Sequence, residues 1–282
     1  MDSKWRLIDS GPCEAFYNMA LDEAIAIEVR RGSAPPTLRL YGWARPSLTL
    51  GCFQKVSDIN SEFCRSQDIP VVRRPTGGRA ILHGDELTYS FSAKTDKGPF
   101  SYGLLDSYKR ISMAFSLALK TIGVLSKPKK KMEKGKALNK SPLCFQSSSY
   151  GEILVDNKKL AGSAQKRWSD GLLQQGSIPY LSHEEKLHGI FGTETTLSLR
   201  NCMKALKDIL PFLDEEEFRK TIASSFEEAF NIRLLLSAPS QEESLLAEEL
   251  LHQKYLQDRW NFRQQPSQNQ PAQKFQQGVP SF

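Results

Sequence analysis

Over the first hundred residues, short β-branched or aromatic runs alternate with stretches whose apolar positions recur every three or four residues. That mixture predicts an α/β or α+β domain built on one main sheet. Residues 5–9 read as a strand. Over 14–31, Phe16, Met19, Ala20, Ala24 and Ile27 share one helical face, Gly32 closes the helix and Pro35-Pro36 stop it. Strands follow at 37–41, 47–51 and 70–73, with a short helix over 57–67. After the Gly77-Gly78 turn, 80–83 and 87–93 read as paired strands, and 102–122 as a long helix with Leu105, Ile111, Phe115 and Leu119 on its apolar face. Asp156-Asn157-Lys158, between strands at 151–155 and 159–165, is the clearest hairpin signal, and a strand at 172–180 follows Ser169-Asp170-Gly171. Beyond Ser182 the pattern is helical, with helices at 184–191, 199–209, 215–230 and 241–255. From Gln264 the chain is rich in Gln, Pro and Ser, too poor in apolar surface to offset its ordering entropy, so 264–282 is expected as a disordered tail behind a single domain over 1–263.

Composition narrows the class. With 39% hydrophobic and 25% charged positions in 282 residues, fibrous architectures are excluded. No run approaches the roughly 20 apolar residues of a membrane span. Asp2, Lys4, Arg6 and Asp9 stand where a signal peptide needs an apolar core, so a cytoplasmic protein with no membrane partner is expected. The five cysteines, Cys13, Cys52, Cys64, Cys144 and Cys202, are odd in number and never spaced C-x-x-C, which indicates neither a disulfide framework nor a metal site. The net charge of +6 is mild but unevenly placed: residues 127–140 read KPKKKMEKGKALNK, relieved only by Glu133. This run reads either as a solvated loop or as a patch for an acidic protein. It lacks the interleaved aromatics of a nucleic-acid surface, so no nucleic-acid partner is expected.

Three segments could carry chemistry. In Arg73-Arg74-Pro75-Thr76-Gly77-Gly78-Arg79-Ala80-Ile81-Leu82-His83, adjacent glycines let backbone N–H groups approach a ligand, and the arginines favour an anionic or carbonyl-bearing one. Alone it reads more readily as a plain tight turn, and it lacks the spacing of a Walker loop. In Lys159-Leu160-Ala161-Gly162-Ser163-Ala164-Gln165, small residues leave space beside a strand, and Lys159 points either into that space or to solvent. In Ser141-Pro142-Leu143-Cys144-Phe145, Cys144 follows the basic run, whose charge would favour thiolate; its spacing alone favours a buried, inert thiol.

Together these segments closely resemble the lipoate–protein ligase A/B family, in its cysteine-dependent octanoyl-[acyl carrier protein]:protein N-octanoyltransferase branch of the LipM type. The resemblance runs from Trp5-Arg6-Leu7-Ile8-Asp9-Ser10 through Phe16-Tyr17-Asn18-Met19-Ala20-Leu21-Asp22-Glu23 and Arg39-Leu40-Tyr41-Gly42-Trp43 to Lys254-Tyr255 and Trp260-Asn261-Phe262. It implies a biotin/lipoate protein ligase-type catalytic domain, a central mixed sheet flanked by helices, in which the Gly-Gly loop and the lysine strand line an acyl tunnel. Arg73, Arg74, Thr76, Gly77, Gly78, Arg79, Ala80, His83, Gly162, Ser163 and Ala164 are then the expected acyl-binding residues. Cys144 is expected to carry the acyl group and Lys159 to contact its carbonyl. The implied reaction moves octanoyl from octanoyl-acyl carrier protein through a cysteine thioester to the target lysine of a lipoyl domain, such as the glycine cleavage H protein or a 2-oxoacid dehydrogenase acyltransferase subunit. No cofactor or metal is implied, and a monomer is expected. The lysine-rich run matches no family motif. The competing assignments are an ATP-dependent lipoate–protein ligase and an octanoyl/lipoyl amidotransferase between lipoyl-domain proteins; a catalytically idle binding module for acyl carrier protein is the non-enzymatic one. His83 is the nearest candidate for the base that deprotonates the acceptor lysine, and a structural histidine is the other meaning of the same residue.

Overall fold

A computed structural model describes residues 3–128, 152–192 and 202–262. Its strands are β1 (Ser3–Cys13), β2 (Thr37–Trp43), β3 (Ser47–Leu50), β4 (Val71–Arg73), β5 (Ile81–His83), β6 (Glu86–Lys94), β7 (Lys127–Pro128), β8 (Ile153–Val155), β9 (Lys158–Arg167), β10 (Gly171–Pro179) and β11 (Ile232–Leu236). Helices are α1 (Ala15–Arg31), α2 (Ser61–Ser66), α3 (Leu104–Thr121), α4 (Glu184–Phe191), α5 (Glu215–Phe230), α6 (Gln241–Leu250), continued by a π turn over Leu251–Tyr255, and α7 (Asp258–Asn261). Eight strands form a mixed sheet in the order β11-β1-β2-β6-β10-β9-β8-β7, parallel at β11-β1-β2 and antiparallel elsewhere. A second sheet, β4-β3-β5, stands apart from it. No helix among the described residues is long and apolar enough to cross a membrane.

The two-residue period of β6 explains the layering. Leu87, Tyr89, Phe91 and Ala93 point to one face and join Trp5, Leu38 and Leu40 against Ile111 and Phe115 of α3 and Phe218, Ile222 and Phe226 of α5. Each such large apolar side chain contributes about 1.5–3 kcal/mol by leaving water. The alternate positions Glu86, Thr88, Ser90 and Ser92 are polar, yet they too are buried, because α1 covers that face. An alternating strand is ordinarily half solvated. A polar face sealed under a helix instead needs internal hydrogen-bond partners, and it marks the side of the sheet where the chemistry lies.

Local signals were legible. Gly32 adopts φ +83° and caps α1, and Asp156 and Asn157 take φ +50° and +62°, a two-residue turn that places Lys158 already in the strand opposite Val155. Long-range pairing was not. The strands at 80–83 and 87–93 exist but do not pair: both edges of β6 are taken by β2 and β10, so β5 joins β3 in the second sheet. A small second sheet therefore stands beside the expected main sheet. Residues 203–209, expected as helix, hold an isolated bridge from Met203 to Lys159 and one 3-10 turn, Leu206–Asp208. The helical pattern expected beyond Ser182 is broken by β11, whose strand character comes from parallel pairing with β1 at the sheet edge. Leu105 is 49% exposed, and Tyr108, Ala114 and Ala118 complete the buried face of α3 instead. The expected tail at 264–282 lies outside the described residues.

Candidate active site

Between the polar face of the large sheet and the second sheet lies a narrow cavity of about 20 Å³, room for a single water. Met19 of α1, Tyr41 and Trp43 of β2, and Gln175, Gly176 and Ser177 of β10 form one side. Thr49, Ile81 and His83 come from the second sheet, Arg74 directly follows its strand β4, and Ser163 and Ala164 from β9 close the rest.

The Gly-Gly loop is shaped by its neighbours. The Arg74 guanidinium is 4% exposed; its Nε and Nη2 donate to the Gly77 carbonyl at 3.1 and 2.7 Å, and Nη2 also to the Arg79 carbonyl at 2.7 Å. Thr76 is fully buried and donates to Gln175 Oε1 at 2.8 Å, tying the loop to the large sheet. Gly78, at φ +83°, lies where a Cβ would come 2.8 Å from Arg74 Nη2. Gly77 borders open space, and Ala80 is buried in the small core of the second sheet. Arg73 is oriented differently from Arg74. Its wholly buried guanidinium donates to the carbonyls of Gly51 (2.7 Å), Gln54 (2.7 Å), Trp260 (3.1 Å) and Asn261 (2.9 Å), so it fastens α7 to the loop after β3 and does not line the cavity.

His83 does line it, held on every side. Its ring stacks on Trp43 at 4.0 Å, Nδ1 lies 2.6 Å from Glu86 Oε1 and Nε2 lies 2.8 Å from Thr49 Oγ1. Burial alone would raise the Glu86 carboxyl; the adjacent His83 charge and the hydrogen bonds from His83 and Thr88 outweigh it and hold the group below the ordinary carboxylate range. An ionised Glu86 only accepts, so Nδ1 carries a proton. Thr49 Oγ1 in turn accepts from Arg74 Nη1 at 3.0 Å. A chain Glu86–His83–Thr49–Arg74 thus reaches the carbonyls of the Gly-Gly loop.

Lys159 does not face solvent. It is 2% exposed, and Nζ donates to Glu152 Oε1 at 2.6 Å, with both side chains inside the protein. On the same strand, Gly162 pairs with Ser177, Ser163 Oγ shares a hydrogen bond with the Tyr89 hydroxyl at 2.8 Å, and the Ser163 carbonyl accepts from Tyr108 at 2.6 Å. Burial pushes the Tyr89 phenol up to about 12, so it remains a neutral hydrogen-bonding group. On the neighbouring strand β10, a Cβ at Gly176 would come within 2.3 Å of the Tyr89 ring.

Cys144, with its Ser141-Pro142-Leu143-Cys144-Phe145 segment, lies outside the described residues, as does the lysine-rich run beyond Pro128. Among the described cysteines, Cys64 is pushed up to about 11 by burial, the mark of an inert thiol. Sequence reasoning missed Glu152, Trp43, Thr49, Glu86 and Gln175. It also missed the network behind them, in which fully buried Asp22 accepts from Arg39 (2.7 Å), Tyr41 (2.8 Å), Ser90 (2.6 Å) and Gln175 (2.7 Å). The available signal was the polar half of the β6 alternation, which demanded partners.

Comparison with known proteins agrees with this architecture. The lipoyl protein ligase A/B catalytic domain family matches residues 14–227. The octanoyltransferase LipM of Halalkalibacterium halodurans is 35% identical over 272 residues, covering 92% of this chain and 99% of that protein. LipM of Bacillus subtilis is 34% identical over 272 residues, with 92% and 98% covered. In three dimensions the chain superposes on a T. acidophilum protein solved with bound lipoic acid, at TM-score 0.77 and 22% identity over 93% of this chain and 99% of that one. It superposes likewise on a lipoate-protein ligase A bound with ATP, at 0.76 and 21% over 93% and 99%. A shared fold with the ligases, and a likeness to LipM over nearly its whole length, place this chain in the lipoyl protein ligase A/B catalytic domain family, in the branch of the octanoyltransferases LipM.

Proposed function

We propose that this chain takes an octanoyl group from octanoyl-acyl carrier protein onto Cys144 as a thioester and passes it to the target lysine of a lipoyl domain. The reaction class, octanoyl transfer in lipoate formation, follows from the likeness to LipM over 92% of the chain. The observation that carries the route is a buried, ion-paired Lys159 on the strand whose Ser163 and Ala164 wall the cavity. A lysine in that setting is a fixed positive charge for the carbonyl oxygen of a bound acyl thioester.

In the first half-reaction the Cys144 thiolate attacks the donor carbonyl, a C–S bond forms, the bond to the phosphopantetheine sulfur breaks, and that sulfur leaves and takes up a proton. Thioester replaces thioester, so the step is nearly balanced. In the second, the acceptor amine attacks the acyl-enzyme, loses a proton and displaces Cys144. An amide replaces a thioester and no ATP is required. Dividing the transfer in this way predicts ping-pong kinetics. Lys159 and N–H groups of the Gly77-Gly78 loop stabilise the oxyanion in both steps. The acceptor lysine, with an ordinary pKa of about 10.4, must be desolvated or deprotonated on docking. His83 serves this site by holding Thr49 and, through it, Arg74.

The test is intact-mass analysis after incubation with octanoyl-acyl carrier protein and no ATP. A thioester on Cys144 adds about 126 Da that hydroxylamine removes, and Cys144→Ala adds nothing. Adduct persisting in Cys144→Ala would move the chemistry to another residue. An ATP-dependent ligase would form no product in this assay, and an amidotransferase would take its acyl group from a modified lipoyl domain and not from acyl carrier protein.

A further inference from the structure

We propose that Gln175 is the positioning residue of the Gly77-Gly78 loop: its side-chain amide, held by Asp22, sets the Thr76 hydroxyl and thereby where the loop stands against the large sheet. This rests on the role given to the loop N–H groups above. Strand register puts Arg39 (β2), Ser90 (β6), Gln175 (β10) and Ala164 (β9) opposite one another in a single row across the sheet. Residues so paired share a face, and this is the face that α1 covers. Arg39, Ser90 and Gln175 all donate to Asp22 of α1, and the last of the row, Ala164, walls the cavity.

The sense of the amide follows from its partners. Asp22 is ion-paired with Arg39 at 2.7 Å, both side chains fully buried, so Gln175 turns its Nε2 toward that carboxylate, also at 2.7 Å. Oε1 is left facing the loop, and Thr76 has to donate to it, at 2.8 Å. Both residues are buried, so bulk water does not stand in for either partner. An apolar side chain at 175 could pack on Met19 equally well, but it would leave the Thr76 hydroxyl without its acceptor. Other bonds to the loop carbonyls come from the side of the second sheet: the Cys52 N–H donates to Thr76 at 2.8 Å, and Arg74 donates to Gly77 and Arg79. Those bonds shape the loop. The bond from Thr76 to Gln175 instead crosses from the second sheet to the large one, the two surfaces between which the cavity lies, and so fixes their relative position at the loop.

Single-turnover acylation of the full chain by octanoyl-acyl carrier protein tests this in a double-mutant cycle of Gln175→Met and Thr76→Val, which remove the two ends of the bond with little change of size. Each variant should acylate at least about tenfold more slowly than native, since a displacement of about 1 Å in a positioning loop is enough for that. The two together should be within about threefold of the slower single variant, because both remove one interaction. The apparent KM for the donor should stay within about threefold of native, since the loop acts on the transition state. Thr76→Ser, which keeps the hydroxyl, should acylate within about threefold of native. A native rate in Gln175→Met, losses that multiply in the double variant, or equal losses in Thr76→Ser and Thr76→Val overturn the proposal. If Gln175→Met does not fold, the two Thr76 variants decide: a slow Thr76→Val beside a near-native Thr76→Ser supports the proposal, and any other pattern overturns it. Gly51→Ala, whose Cβ would meet the Gly78 carbonyl, displaces the loop without altering Thr76 or Gln175 and separates the two levels. A slow Gly51→Ala beside a native Gln175→Met sinks the role of Gln175 alone, whereas native rates in both sink the role of the loop itself.

Discussion

Gly51 and Gly78 meet backbone to backbone: a Cβ on Gly51 would stand 1.9 Å from the Gly78 carbonyl oxygen and 2.7 Å from its carbon. The second glycine of the loop is therefore set by a glycine almost thirty residues earlier, at the end of β3. Gly51→Ala should push the loop off its seat, costing about 1–3 kcal/mol by overpacking. Acyl-enzyme formation should slow at least about tenfold, because a displacement of about 1 Å in a positioning loop is enough for that. Thermal unfolding and single-turnover acylation measure the two effects. Acylation at the native rate would mean that the Gly51 contact does not position the loop.

Lys159 carries a prediction in which sequence and structure part. A solvent-facing lysine could be truncated with no cost to folding. Here Lys159→Ala strips the ammonium from a buried carboxylate, so a loss of about 3–5 kcal/mol is expected along with a fall in turnover of about 100-fold or more. Lys159→Met with Glu152→Leu should recover most of the stability and none of the turnover. Denaturant titration of the two variants makes the comparison; equal stability would show that the pair is not energetically coupled.

Glu86 predicts a pH dependence. Its carboxyl is held below its ordinary value of 4.5 in the folded protein. A group whose folded pKa is depressed adds stability that is fully present above the unfolded value and is lost as pH falls through the folded one. The native protein should therefore lose stability below about pH 4.5, and part of that loss should vanish in Glu86→Gln, so the two curves converge as pH falls. Urea unfolding at a series of pH values checks this, and parallel curves would contradict it.

Arg73 and Arg74, adjacent in sequence, should respond differently to substitution. Arg73→Lys cannot reach the four carbonyls that the guanidinium serves, and each buried carbonyl left without a donor costs roughly 1–3 kcal/mol. A large fall in Tm is expected, with acylation of the folded protein within about threefold of native. Arg74→Lys should instead slow acylation, because it releases the Gly77 and Arg79 carbonyls beside the cavity. Reversed outcomes would exchange the roles of the two arginines.

The lysine-rich run yields a prediction from sequence alone. Neutralising Lys129, Lys130 and Lys131 together should raise the apparent KM for acyl carrier protein several-fold at low salt, since acyl carrier proteins are acidic. The difference should fade with salt, because exposed charges are screened within about 8 Å at physiological ionic strength. Donor kinetics equal to native at low salt would leave the run as a solvated spacer.

The local and the periodic features of the fold follow from the residues near each other in the chain. The three- and four-residue spacing in α1 with Gly32 behind it, the turn at Asp156-Asn157 and the helices at 184–191 and 215–230 are decided by backbone preference and by which face must leave water. The ordered motifs likewise carried the family, because each keeps its residues within a few positions of chain. The tertiary structure decided everything that depends on a partner distant in sequence. It put β5 and β6 in different sheets because β6 had no open edge, and it made a strand of 232–236 because β1 had one. It also separated two neighbouring arginines, turning Arg73 to the carbonyls of α7 and the loop after β3, and Arg74 to the Gly-Gly loop. Finally it paired Lys159 with Glu152 and buried both. A charged side chain has the same propensity whether it meets water, a carbonyl or a counter-charge; only the packing of distant segments around it removes the water and supplies the partner.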